Sequence, residues 1–185
     1  AFDRKKEIEE TFRKDARDST YETWDDLFDY CRRSANPIGR LVLGVSGYRE
    51  ARLDAWSDDV CTALQLTNFW QDLERDWQKN RLYVPAALAR SHGADPEDLG
   101  RRRFTPAWRA TLAAAAATTR RRFQSGRPLT DAVTGRLRWE LRATWLGGVR
   151  ILDRLEASGF DVFRARPTLG WRDAAPIGFR LLTWR

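Results

Sequence analysis

An all-α fold is predicted by three features of the 185-residue sequence. Apolar residues recur at spacings of three and four in several stretches, the period of one helical face. Helix-starting and helix-stopping residues bound those stretches. No segment alternates with a period of two or carries a hairpin turn.

Residues 2–17 read as an exposed amphipathic helix, with Phe2, Ile8 and Phe12 set among charges. Thr23 with Asp26 three residues on forms a helix-start box, so a helix is expected from Trp24. Trp24, Leu27, Phe28 and Cys31 supply its apolar stripe, and Asn36-Pro37 predicts a break before the chain continues to Leu43. Ser57 is read as the cap of the most regular helix, about 58–76. Val60, Leu64, Thr67 and Gln71 share one of its sides; Cys61, Gln65, Asn68, Asp72 and Asp76 share another. Asn80 ends it, and Arg81 to Pro85 should be extended or turned, because a residue before proline avoids the helical region. A short helix at 85–90, a loop from Ser91 to Pro96 and a helix at 105–124 around the alanine run 113–117 follow. Beyond Gly126-Arg127-Pro128 one long helix is expected at 129–157, with Leu137, Leu141, Trp145, Val149 and Leu152 on one side and Ser158-Gly159 as its stop. The remaining tail is interrupted by Pro167, Gly170, Pro176 and Gly178. No internal repeat or long linker is legible, so residues 1–185 are read as a single domain.

Composition narrows the chemistry. Two separated cysteines and one histidine argue against a disulfide framework, a zinc site of nitrogen and sulfur ligands, and a histidine-based triad. The cysteine usage suits a reducing compartment. With no apolar run near the roughly 20 residues of a bilayer span, and no leader legible, a cytoplasmic protein is expected. The net charge of +7 is uneven: residues 101–185 hold 18 arginines against 6 acidic groups. Such a half can face nucleic acid, anionic lipid or a phosphorylated substrate, or can be a solvated surface. No base-reading motif is recognisable, so nucleic acid is not expected as a partner. The tail from Ile177 to Arg185 mixes apolar, tryptophan and arginine residues, as an interfacial segment at a membrane would, or as a last helix docked on the core would.

The helix at 58–76 carries the most specific signal. Gln65, Asn68, Asp72 and Asp76 are spaced three, four and four, so their side chains stack along one face. One amide oxygen and two carboxylates are hard donors of the kind Mg²⁺ takes together with waters and phosphate oxygens. An aspartate pair at this spacing is also common on solvated faces, but Val60 to Trp70 carries no charge and should be largely buried. A polar stripe on a buried helix needs partners, which a metal or a phosphate would supply.

The run from Leu64 to Asp76, followed by Arg81-Leu82-Tyr83-Val84-Pro85, resembles the second aspartate-rich motif of the squalene/phytoene synthase family. Tyr30-Cys31 through Ala35 to Gly39 resembles a second family segment. Its form with Asn36-Pro37, and Arg166-Pro167-Thr168-Leu169-Gly170 near the end, are similar to the squalene or hydroxysqualene synthase branch of hopanoid synthesis. The similarity covers about Tyr21 to the C-terminus. It implies a helical isoprenoid-synthase fold in which Mg²⁺ holds a prenyl diphosphate over an apolar pocket. By that resemblance Asn68, Asp72 and Asp76 are the metal-binding face, with Gln65 close to the diphosphate. Arg81 and Tyr83 meet the diphosphate or the reacting end, and Tyr30 is a phenol near the developing cation; a core tyrosine is its alternative. The implied reaction is Mg²⁺-assisted conversion of presqualene diphosphate to hydroxysqualene. Head-to-head coupling of farnesyl diphosphate is the runner-up, and a non-catalytic basic helical module on anionic membrane or nucleic acid is the alternative from another class.

The family's first aspartate-rich motif is not matched. Asp25 and Asp29 have its spacing but precede Tyr30 directly, where that motif does not belong, and residues 1–20 hold nothing like it. The chain is therefore expected to be the C-terminal portion of a family member, with half of the diphosphate cage, and weakly active or inactive alone.

Overall fold

The computed structural model describes residues 20–184, so the helix expected at 2–17 lies outside the described residues. Among the described residues the regular structure is entirely helical, with one isolated bridge between Thr20 and Leu82. The helices, in chain order, are α1 (Trp24–Ser34), α2 (Asn36–Val45), α3 (Ala51–Gln71), α4 (Leu73–Trp77), α5 (Ala86–Ser91), α6 (Pro96–Gly100), α7 (Pro106–Gly126), α8 (Leu129–Ala132), α9 (Gly135–Ala157) and α10 (Trp171–Thr183).

α1 starts as expected: the Thr23 hydroxyl accepts from Asp26 N, and the Asp26 carboxylate accepts from Thr23 N at 2.9 Å. It stops at Ser34, and α2 restarts at once with Pro37 in its first turn, where a missing N–H costs nothing. α3 is the axis of the bundle, with α7 along it and α1, α2, α8 and α9 around it. Leu53, Val60, Ala63, Leu66, Phe69 and Trp70 of α3 are all buried. α7 and α9 come close to α3 at glycines. A Cβ on Gly126 would stand 2.8 Å from Trp56 O, and one on Gly148 would stand 2.6 Å from the Leu64 side chain. Buried tryptophans find acceptors, as their polar N–H requires: Trp70 Nε1 donates to Thr119 Oγ1, Trp108 Nε1 to Asp95 O and Trp145 Nε1 to Phe123 O. Burial pushes the Cys31 thiol up to about 12, outweighing the nearby Arg122 charge, so this sulfur is a packing group.

Several expected boundaries are corrected. α3 begins at Ala51, not after Ser57, which is buried within it; Leu53 and Trp56 extend the apolar stripe upstream and override the serine signal. Nor does the helix run unbroken to Asp76. Asp72 leaves helical geometry (φ −101°, ψ 12°), and α4 is a separate short helix. Asn80 takes φ +58°, a conformation asparagine tolerates, and turns the chain into the extended stretch to Pro85. The loop expected from Ser91 to Pro96 is present, and at its end stands α6, which was not expected, capped by the Asp95 carboxylate on Glu97 N with Pro96 at its first position. The helix expected at 129–157 is two, α8 and α9, parted by extended Val133 and Thr134 and by Gly135 at φ +62°. Tyr48 Oη accepts from Thr134 N at 2.8 Å and fixes that break.

The tail is more regular than expected. α10 runs through Pro176, and the buried Asp173 anchors its first turn. The Asp173 carboxylate accepts from Gly170 N at 2.8 Å and pairs with Arg150 and Arg154 of α9. The Gly170 bond first, then the two arginines, hold its carboxyl below the usual carboxylate range. Ile177, Leu181 and Trp184 pack on the core, which matches a docked last helix, while Trp171, Phe179 and Leu182 are exposed on one side. Ten arginines between 101 and 184 are ion-paired, including Arg102 with Glu74 and Arg120 with Asp153 and Glu156, so much of the basic half is neutralised internally.

Candidate functional site

The candidate residues lie where α3 ends. Gln65 and Asn68 are on its last two turns; Gln65 is half-buried and Asn68 is exposed. Asp72 is the residue at which the helix opens, and a backbone ladder continues through it. Asp72 N donates to Asn68 O at 2.8 Å, Asp76 N to Asp72 O at 2.8 Å, and Arg81 N to Asp76 O at 2.9 Å. The four residues are thus tied in sequence by main-chain bonds, although the regular face expected for a single helix ends at Asp72. Glu74, which shares the acidic run, is engaged elsewhere by Arg102.

Two environments flank this ladder. The first is aromatic. Tyr30 of α1 and Tyr83 are buried and 5.8 Å apart between ring centroids, and Tyr83 stacks on Phe69 of α3 at 3.8 Å. Tyr21 completes the group at 5.6 Å from both tyrosines. It is held there because Ala86 N donates to Tyr21 O and Ala87 N to Glu22 O, beside the Thr20–Leu82 bridge. The arrangement brings together Tyr30 and Tyr83, far apart in sequence, and adds Tyr21 and Phe69, which the motifs did not single out.

The second is an open apolar groove of about 400 Å³ between α3 and α9. Leu64, Thr67 and Asn68 form one wall, Ala143, Thr144, Gly147, Gly148 and Ile151 the other, and Leu169 closes one side. Asn68 gives the groove a polar end. Ala143 and Gly147, four residues apart on α9, keep side-chain bulk out of it, while Gly148 lets α9 approach Leu64 and Phe123; this run of small residues is a signal in the sequence that could have revealed the wall. On the helical wheel the groove meets α3 at Asn68 and the aromatic group meets it at Phe69, about 100° apart, with Gln65 between them one turn earlier.

Asp72 has an arginine partner that the spacing did not reveal. Arg166 Nε donates to Asp72 Oδ1 at 2.6 Å and Arg166 Nη2 to Oδ2 at 2.9 Å, a two-pronged pair with both groups about a quarter to a third exposed. That bond to Asp72 raises the Arg166 pKa further. Arg75 stands at 3.7 Å from Oδ1 on the solvent side. Arg166 sits on a strap, residues 163–170, fixed by Gln71 Nε2 donating to Pro167 O and by Arg154 Nη1 donating to Thr168 O at 2.8 Å.

Among the described residues no three His, Cys, Asp or Glu side chains gather into a metal cage of their own. Asn68, Asp72 and Asp76 nonetheless fit Mg²⁺ by donor chemistry. Mg²⁺ commonly takes one or two carboxylates and completes its shell with water and substrate phosphate, whereas zinc favours histidine and cysteine ligands.

The family model for squalene/phytoene synthase matches residues 4–173. That match starts upstream of the motifs at Tyr21 and stops short of the C-terminus, to which the motif reading had extended it. The hydroxysqualene synthase of Zymomonas mobilis is 46% identical over 95 residues, which are 50% of this chain and 31% of that protein. The hydroxysqualene synthase of Rhodopseudomonas palustris is 40% identical over 123 residues, 66% of this chain and 42% of that protein. The chain therefore spans less than half the length of either relative. The crystal structure of squalene synthase HpnC from Alicyclobacillus acidocaldarius matches with a TM-score of 0.82 at 39% identity, over 86% of this chain and 61% of that one. The all-α isoprenoid-synthase fold expected from the motifs is the fold observed.

Proposed function

Because the chain belongs to the squalene/phytoene synthase family, we propose that it works on a prenyl diphosphate, as the part of such an enzyme that carries one metal-binding face. The observation that carries this reading is the apolar groove ending at Asn68, one turn before Asp72, with the buried tyrosine group on the adjoining side of the same helix. A prenyl chain suits the groove, and its diphosphate suits the ladder from Asn68 to Arg81.

In this reading Asn68, Asp72 and Asp76 hold Mg²⁺, whose contribution when bound is to neutralise the charge that gathers on the departing diphosphate. Gln65 and Arg81 orient the diphosphate, Arg81 with a fixed positive charge. Tyr30, Tyr83 and Phe69 form the aromatic group on the adjoining side of α3, and their ring quadrupoles would favour a carbocation brought near it. The favoured reaction converts presqualene diphosphate to hydroxysqualene. The carbon–oxygen bond breaks with both electrons leaving on the diphosphate. The resulting cyclopropylcarbinyl cation rearranges and a ring carbon–carbon bond breaks, water oxygen adds to the cationic carbon, and that water gives up one proton. Support for this choice over head-to-head coupling of farnesyl diphosphate comes from the two relatives named for hydroxysqualene synthesis.

The 185-residue chain is expected to be weakly active or inactive alone, since among the described residues the assigned donors all lie on the run from the end of α3 to Arg81. With chain and presqualene diphosphate at equal concentration, hydroxysqualene and free diphosphate should appear only when Mg²⁺ is present. Product that forms equally without Mg²⁺ would contradict the reading, robust turnover would contradict the expectation of a one-sided site, and a coupled product from farnesyl diphosphate would move the reading to the runner-up.

No helix among the described residues is long and apolar enough to cross a membrane. A greasy substrate is nonetheless best met at a membrane surface, and the exposed Trp171, Phe179 and Leu182 of α10, with Arg172 and Arg180 nearby, suit peripheral contact. Sedimentation with anionic vesicles is expected for the parent chain and should fall several-fold in a Phe179→Ser, Leu182→Ser double variant. Equal sedimentation of the two would remove α10 from this role.

A further inference from the structure

Arg166 takes both oxygens of a carboxylate that, on the reading above, must bind a cation. Its placement is built rather than incidental. The strap that carries it is held on one side by Gln71, the residue immediately before Asp72, and on the other by Arg154 of α9, which also grips the buried Asp173. Gln71 and Asp173 are both buried, so the ties that aim Arg166 at Asp72 are sheltered while the pair itself stays partly exposed. The pair is geometrically complete: Nε and Nη2 each meet a different oxygen, which is the strongest way a guanidinium binds a carboxylate.

A carboxylate in that state has little left for a divalent ion. Mg²⁺ and Mn²⁺ need an Asp72 oxygen in direct contact at about 2.1 Å. A guanidinium already bonded to both oxygens blocks that approach sterically and opposes it electrostatically. We propose that Arg166 is a working residue of this site: an internal counter-cation that occupies Asp72 before loading, and that a divalent ion must displace to bind there. Arg166 thereby sets the cation affinity of the site and discourages loading in the absence of an anion that would compensate the added charge. The inference rests on the assignment of Asp72 as a cation-binding residue.

Mn²⁺ alone, followed through the resonance signal of the free ion, tests it on the 185-residue chain. Arg166→Gln should bind Mn²⁺ more tightly than the parent, by roughly threefold or more, the scale of a partly exposed ion pair. Arg166→Lys, which cannot bind in two prongs, should fall between them. The gain should vanish when Asp72→Asn is added to Arg166→Gln. Equal or weaker binding by Arg166→Gln, or no binding by either it or the parent, overturns the inference and leaves the diphosphate reading to be judged by product formation. A gain that survives Asp72→Asn overturns both, since the ion would then sit elsewhere. Circular dichroism of each variant separates these outcomes from loss of fold.

Discussion

Asp72→Asn is expected to weaken Mg²⁺-dependent binding of farnesyl thiodiphosphate, an unreactive substrate mimic, by about 100-fold or more. Losing even a group that only orients a metal ligand commonly costs 10–100-fold, and Asp72 is assigned as a ligand itself. Its position makes it hard to replace. Asp72 stands where α3 opens into α4, so the main chain of Asp76 hangs from its carbonyl while its carboxylate faces the strap. Asparagine keeps the shape and one acceptor oxygen and removes the charge, so the fold should persist with Arg166 more weakly held. Glu74→Gln is the matched control. That carboxylate is two residues away, is occupied by Arg102, and should leave binding unchanged. Binding assayed by calorimetry with and without Mg²⁺ would decide between the two carboxylates.

Trp70→Ala is expected to lower the stability of the chain by about 3–5 kcal/mol, the range for removing a fully buried tryptophan. Trp70 has no solvent exposure, donates through Nε1 to Thr119 Oγ1 at 2.8 Å, and meets the ring of Trp24 edge-on at 6.2 Å. It therefore joins α1, α3 and α7 at the level of the site. The Thr119 hydroxyl keeps its bond to Ala115 O, so the cost is mainly the cavity and the lost ring contacts. The thermal midpoint should fall by about 10 °C, and cations should bind more weakly as the end of α3 loosens. Trp139→Ala, at an exposed ring, should change stability by no more than about 0.5 kcal/mol.

The sequence was most informative where one local rule acted alone. Thr23 and Asp26 gave the start of α1, and Asn36-Pro37 gave the break before α2, because caps and prolines operate within a turn. Ser57 misled because a long apolar stripe through Leu53 outweighs a favourable cap residue. The stretch around Val133 to Gly135 carried a positive-φ glycine that was not read as a breaker, so two helices were expected as one. At the site, Asn68, Asp72 and Asp76 were singled out by spacing and motif, but the break at Asp72 was not legible, and motif alone singled out Tyr30 and Tyr83 without their contact. Arg166 was not. Its partner lies 94 residues away, and no periodicity within a helix reports a contact that only the packing of the strap creates. Tyr21 escaped for the same reason, being placed by main-chain bonds to the start of α5.

The central claim, that the end of α3 is one wall of a Mg²⁺–diphosphate site, is tested most directly by titrating farnesyl thiodiphosphate into the 185-residue chain with and without Mg²⁺. The expected result is binding that requires Mg²⁺ and is lost in Asp72→Asn, while circular dichroism shows the helices intact. Binding that is indifferent to both Mg²⁺ and Asp72, or no binding at all by the folded chain, would contradict it.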